Sequence, residues 1–216
     1  MTGGAQSAGG VESHGAESSR AESWGGRGRW RNPPPSARED GRDLVVTAGE
    51  GSDLWRTTAY GFVRDSGHGL LEPLSDGRAV EVGFVLDYDQ LYDQDGVLLH
   101  VDEQTWIKCG VEVSDGLPQL GAVVTRGVSD WSVAPVPSWA GRTVVVRASR
   151  SGDAVTLRAR AGEDPWQMVR LAPLTLGATV LAGPFCCAPT RAGLEVRFTR
   201  WVERAADAGL HEGPED

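Results

Sequence analysis

Between Trp106 and Val113 the chain reads Trp-Ile-Lys-Cys-Gly-Val-Glu-Val, an alternation that suits an extended strand and scatters uselessly around a helix. Ile107, Cys109, Val111 and Val113 fall on one face, and Trp106, Lys108, Gly110 and Glu112 on the other. The first face belongs in a core. The second combines an aromatic, an ammonium and a carboxylate with a glycine that leaves room between them, a set suited to the floor of a concave sheet that receives a polar ligand.

The rest of the chain supports an all-β class. No long apolar segment repeats with helical period, and short runs rich in Val, Leu, Thr and Trp alternate with Gly, Pro, Asp and Ser. These runs predict strands near 43–47, 58–63, 79–87, 97–102, 106–113, 119–125, 143–149, 154–160, 166–171, 179–184 and 193–202, a number that suits a sandwich. Pairing 97–102 with 106–113 keeps Val97, Leu99 and Val101 beside Ile107, Cys109 and Val111 only in an even-sum register. A three-residue turn, Glu103-Gln104-Thr105, then sets His100 opposite Lys108 and Asp102 opposite Trp106. The strand at 143–149 has Val144, Val146 and Ala148 at core parity, which leaves Arg147 free to reach Glu112 or an anionic ligand.

Residues 1–26 are Gly, Ser, Ala and Glu with little to bury, so a disordered tail is expected there, followed by one domain over 27–204 and a polar tail over 205–216. A formal net charge of -9 without a Lys/Arg-dense run argues against nucleic acid as a partner. No run reaches the roughly 20 apolar residues of a membrane span, and the amino terminus lacks a signal-like apolar region, so a cytoplasmic protein without a membrane partner is expected. Three cysteines, two of them adjacent, form neither a disulfide framework nor a zinc spacing, and they read as small core residues in a reducing compartment. The acidic run Asp87–Gly96 lacks the first ligand of a calcium loop, so no metal and no cofactor is expected.

Six segments in order, Trp55–Phe62, Tyr92–Gly96, Trp106–Glu112, Val123–Thr125, Ser129–Ser132 and Gly183–Pro189, resemble the regulation-of-enolase-like family, a domain of unknown function. The resemblance runs from Trp30 to Trp201. It implies a concanavalin-like jelly-roll sandwich of two antiparallel sheets, one concave, as in lectins and glucanases, and it carries no catalytic residue. Asp95 stands where the family often has a small residue.

A glucanase of that superfamily would carry Glu-x-Asp-x-x-Glu on one strand, which puts nucleophile and acid on one face. The stretch 79–115 has no such triplet. There is no Gly-x-Ser-x-Gly elbow either, so Ser129-Asp130-Trp131-Ser132 reads as a capped loop that holds Trp131 at the rim. The expected function is therefore a non-catalytic module that binds a small polar ligand, a carbohydrate or sugar-phosphate-like molecule, through Gln94, His100, Trp106, Lys108, Glu112, Asp130, Trp131 and Arg147. Two alternatives stand beside it. One is a sugar-active enzyme using Glu112 or Asp102 as base with Lys108 or His100 as electrostatic partner. The other is a protein-interaction domain whose leader folds on its partner. The segment 126–141, with Trp131, Pro135, Pro137 and Trp139, is read as a loop long enough to be a lid.

Overall fold

The computed structural model describes Met1, residues 24–175 and residues 177–214. Strands in chain order are β1 (Arg29–Arg31), β2 (Ser36–Asp40), β3 (Asp43–Thr47), β4 (Leu54–Arg56), β5 (Val63–Asp65) and β6 (His68–Pro73). There follow β7 (Arg78–Val85), β8 (Gln94–Asp102), β9 (Thr105–Ser114), β10 (Leu117–Arg126) and β11 (Val128–Pro135). The last five are β12 (Thr143–Ser151), β13 (Ala154–Ala161), β14 (Gln167–Pro173), β15 (Leu181–Cys187) and β16 (Glu195–Ala205). They form two seven-stranded antiparallel sheets, ordered β1-β6-β15-β8-β9-β10-β11 and β14-β13-β12-β7-β16-β3-β2, with β4 and β5 as a separate hairpin. The class is all-β and the architecture a jelly-roll sandwich. No helix among the described residues is long and apolar enough to cross a membrane.

Alternation builds the core. Val97, Leu99, Ile107, Cys109, Val111, Val113, Ala122 and Val124 of the first sheet face Val46, Val82, Phe84, Val144, Val146, Leu157, Val196 and Phe198 of the second. Two-residue turns pin neighbouring strands. Asp115 and Gly116 both have positive φ, 55° and 75°, the geometry that matches the twist of a tight hairpin between β9 and β10.

β8 and β9 pair with the expected parity, but the register sits two residues further along. Leu98 lies opposite Lys108 and His100 opposite Trp106, while Asp102 moves into the turn beyond a bulge at His100/Asp102. Two further expectations change. The run at 58–63 is a hairpin tip, because Thr57 and Ala59 take left-handed φ of 55° and 63° that no strand accommodates. The stretch 128–135 is the edge strand β11, its Pro135 tolerated because an edge position leaves no ladder donor missing. It extends the concave floor and is not a lid.

Described residues at both ends of the chain contact the sandwich. Residues 2–23 of the expected tail lie outside the described residues, but Trp24 is buried, stacked 6.1 Å from Trp201 and donating its indole N–H to Arg42 O at 2.8 Å. At the other end Asp207 accepts hydrogen bonds from Arg147 (2.8 Å) and Arg158 (3.1 Å), and Arg158 also donates to Leu210 O (2.6 Å). Residues past 205 are thus clamped onto the outer face of the second sheet.

At the centre of the first sheet, Gly96, Gly110 and Gly121 lie side by side on β8, β9 and β10. A Cβ on Gly110 would fall 1.8 Å from Asp95 O, and one on Gly121 2.3 Å from Ser132 O, so the strands approach too closely for any side chain. Gly110→Ala is expected to destabilise the domain by about 2–4 kcal/mol in urea unfolding. A variant within about 0.5 kcal/mol of wild type would contradict this close approach.

Candidate functional site

The outer face of the first sheet forms the floor, arranged in cross-strand rows. Gln94, Glu112 and Gln119 make one row, Gly96, Gly110 and Gly121 the next, and Leu98, Lys108, Val123 and Trp131 the third. His100, Trp106 and Thr125 make the fourth.

That fourth row is covered. Leu54 and Trp55 of β4 press on Leu71, Leu98, Trp106, Val123, Phe185 and Cys187, a second apolar core outside the sandwich. The hairpin is tied at its base, where Arg56 N–H donates to Ser129 Oγ (2.9 Å) and Arg56 Nε to Gly127 O (3.1 Å). Its tip raises an aromatic wall. Trp55 meets Tyr60 and Trp131 edge to face at 5.6 and 6.4 Å, and Tyr60 stacks on Phe62 at 5.4 Å.

The opposite rim is Tyr92 with Pro189 and Thr190. Thr190 Oγ1 donates to Leu91 O at 2.6 Å, and Arg191 grips the buried Asp93 carboxylate with two nitrogens. Between wall and rim lies an open pocket of about 310 Å³. Asp53, Gln94, Lys108 and Glu112 form its polar base.

Lys108, 5% exposed, donates to Gln94 Oε1 at 2.7 Å and lies 3.5 Å from Asp53 Oδ1. Asp53 Oδ1 also accepts the N–H of Leu54 at 2.7 Å, which couples the base of the pocket to the hairpin. Glu112 is half-buried and has no hydrogen-bond donor among the described residues. Burial raises its carboxyl to about 7, with Lys108 pulling it down and Asp53 pushing it up. Tyr92, at the rim, is raised chiefly by burial, then by Tyr60 and Glu112.

Of the residues expected to bind ligand, Gln94, Lys108, Glu112 and Trp131 converge on this pocket. Trp106 shares their face but is buried beneath the hairpin, and His100 lies beside it in the covered row. Asp130 points to the other side of β11, where it accepts from Arg170 at 2.7 Å. Arg147 is on the opposite sheet. Its outward parity turns it away from Glu112 and into ion pairs with Glu81 (2.9 Å) and Asp207 (2.8 Å). Of the alternative bases and partners, Asp102 caps the turn through Gln104 N–H at 2.8 Å and His100 lies in the covered row, while Glu112 and Lys108 both line the pocket. In the acidic run, Asp93 is committed to Arg191, and Asp95 is buried in the main core against Tyr88 (2.8 Å).

Sequence reasoning missed Asp53, Trp55, Tyr60 and Tyr92 as lining residues. Trp55 and Tyr60 stand in a motif already singled out, and the positive φ of 64° at Tyr92 has no signature in sequence.

The class is a jelly-roll β-sandwich with an open, aromatic-walled pocket on the outer face of one sheet. The chain belongs to the family of proteins of unknown function DUF1349, whose model matches residues 30–205. It is 36% identical over 175 residues, 81% of this chain and 88% of the relative, to Regulation of enolase protein 1 of Saccharomyces cerevisiae. A solved structure of a functionally unknown protein from Saccharomyces cerevisiae is 35% identical with a TM-score of 0.78, covering 83% of this chain and 96% of that one. The GH43 BlXynB protein from Bacillus licheniformis matches at a TM-score of 0.64 and 16% identity, over 82% of this chain and 36% of that one, a likeness of fold alone.

A carboxyl raised from 4.5 to about 7 in the folded protein contributes stability fully below pH 4.5 and loses it as pH climbs through 7. At pH 8 the folded protein therefore bears a penalty on the order of 3 kcal/mol that Glu112→Gln removes. Thermal unfolding of the variant is expected to exceed wild type at pH 8 and to match it near pH 4.5. Equal curves at pH 8 would show Glu112 to be unstrained.

Proposed function

We propose that this protein is a non-catalytic module that binds a small carbohydrate in the pocket between the hairpin and the concave sheet. The observation that carries this reading is the facing of Trp55, Tyr60 and Trp131 across the pocket from Lys108, Gln94 and Glu112. Aromatic planes take the C–H faces of a sugar, while amide, ammonium and carboxylate groups take its hydroxyls. The volume suits one or two rings. Three free buried thiols fit a reducing compartment, and we place the protein in the cytoplasm, without nucleic acid or membrane as partner.

A thermal-shift panel of neutral sugars, sugar phosphates, nucleotides and calcium tests the reading on wild type and Trp131→Ala. Trp131 is 38% exposed, so its truncation leaves the main core intact. At about a hundredfold its dissociation constant, a sugar should add roughly 2.7 kcal/mol, a rise of several degrees that the variant loses. No rise with any sugar would overturn it.

A further inference from the structure

We infer that the sugar held in this pocket carries a free amino group, whose ammonium pairs with Glu112 beside the aromatic wall. The inference deepens the carbohydrate reading and rests on it. It starts from how the four charges lining the pocket are already spent. Lys108 faces Asp53 at 3.5 Å and donates to Gln94 at 2.7 Å, so each of that pair has an opposite charge at hand. Arg64 is exposed to solvent and lies over the outer face of Phe62, 5.1 Å from the ring centroid. Glu112 is left over. Its carboxylate is half-buried, receives no hydrogen bond from any described residue, and opens onto the cavity.

A half-buried carboxylate without a donor is costly until something supplies one. A sugar hydroxyl supplies a hydrogen bond and leaves the charge uncompensated. An ammonium supplies both, and a charge-assisted bond is roughly twice as strong as a neutral one. The surroundings favour the same choice. Trp55, Tyr60, Phe62, Tyr92 and Trp131 line the walls, and the faces of aromatic rings attract cations. Lys108 would repel a second cation if it stood alone, but Asp53 offsets it. A free amine is specified, because acetylation removes the charge while keeping the ring and its hydroxyls.

Calorimetric titration of the full chain with glucosamine, glucose and N-acetylglucosamine at pH 7 tests this, in wild type and in Glu112→Gln. The variant keeps the shape of the side chain and removes its charge. Wild type is expected to bind glucosamine about tenfold more tightly than either neutral sugar, a preference worth one charge-assisted contact. Glu112→Gln should abolish the preference, binding glucosamine and glucose with equal affinity whatever the change in either. Its circular dichroism and unfolding curve establish that it is folded. Equal binding of glucosamine and glucose by wild type would overturn the amino-group inference and leave the carbohydrate reading standing, as would a preference that survives in Glu112→Gln. Absence of binding by all three sugars would overturn both.

Discussion

Trp106, Val123 and Leu98, pressed against Leu54 and Trp55, form the interaction on which the site depends. A sandwich needs only one face of each sheet to be apolar, and the main core already satisfies that requirement. The second core on the outer face has another consequence. It fixes a hairpin of two three-residue strands, too short to be stable alone, over half of the concave sheet. The uncovered half is the pocket. Trp55 belongs to both, being buried below against the sheet and edge-on above to Tyr60 and Trp131.

This arrangement explains what could be read from the sequence and what could not. Alternation from Trp106 to Val113 assigns each side chain to its face without error, because a strand's period is set by the backbone and not by its neighbours. Parity carries no information about offset: a two-residue turn moves the register by one and the bulge at His100/Asp102 by one more, which takes Asp102 out of the floor. The hairpin was hidden for a different reason. Its Trp-Arg-Thr-Thr run has strong strand propensity, yet Thr57 and Ala59 turn with positive φ, held by Phe62 O accepting from Thr57 N at 2.8 Å. Nor does parity say which sheet a strand joins. Arg147 faces away from its own core as expected, on a sheet that the sandwich sets on the far side from Glu112.

The buried charges separate structural from functional roles. Glu81 takes Arg147 and Arg200, Asp207 takes Arg147 and Arg158, and Asp93 takes Arg191. Each of these carboxylates is matched by a guanidinium, the arrangement that offsets the cost of removing charge from water. The first two pairs clamp the end of the chain to the second sheet, and the third fixes the rim that holds Pro189 and Thr190 over the pocket.

Two carboxyls withdrawn from solvent in the strands of the first sheet, Asp95 and Glu112, have no such partner, and their surroundings differ. Asp95 lies in the closed main core, raised well above its ordinary value chiefly by burial, with Tyr88 as its hydrogen-bond partner. Its Oδ2 is buried without a hydrogen-bond partner among the described residues. Glu112 sits on the opposite face of the same sheet, where the glycines at 96, 110 and 121 leave the floor bare beside it. Burial raises its carboxyl to about 7, and no described residue donates a hydrogen bond to it. The chain's nearest ammonium is already shared between Gln94 and Asp53. The fold matches Glu81, Asp93 and Asp207 with arginine and gives Asp95 a tyrosine donor, yet leaves Glu112 facing an aromatic-walled cavity without a donor from any described residue.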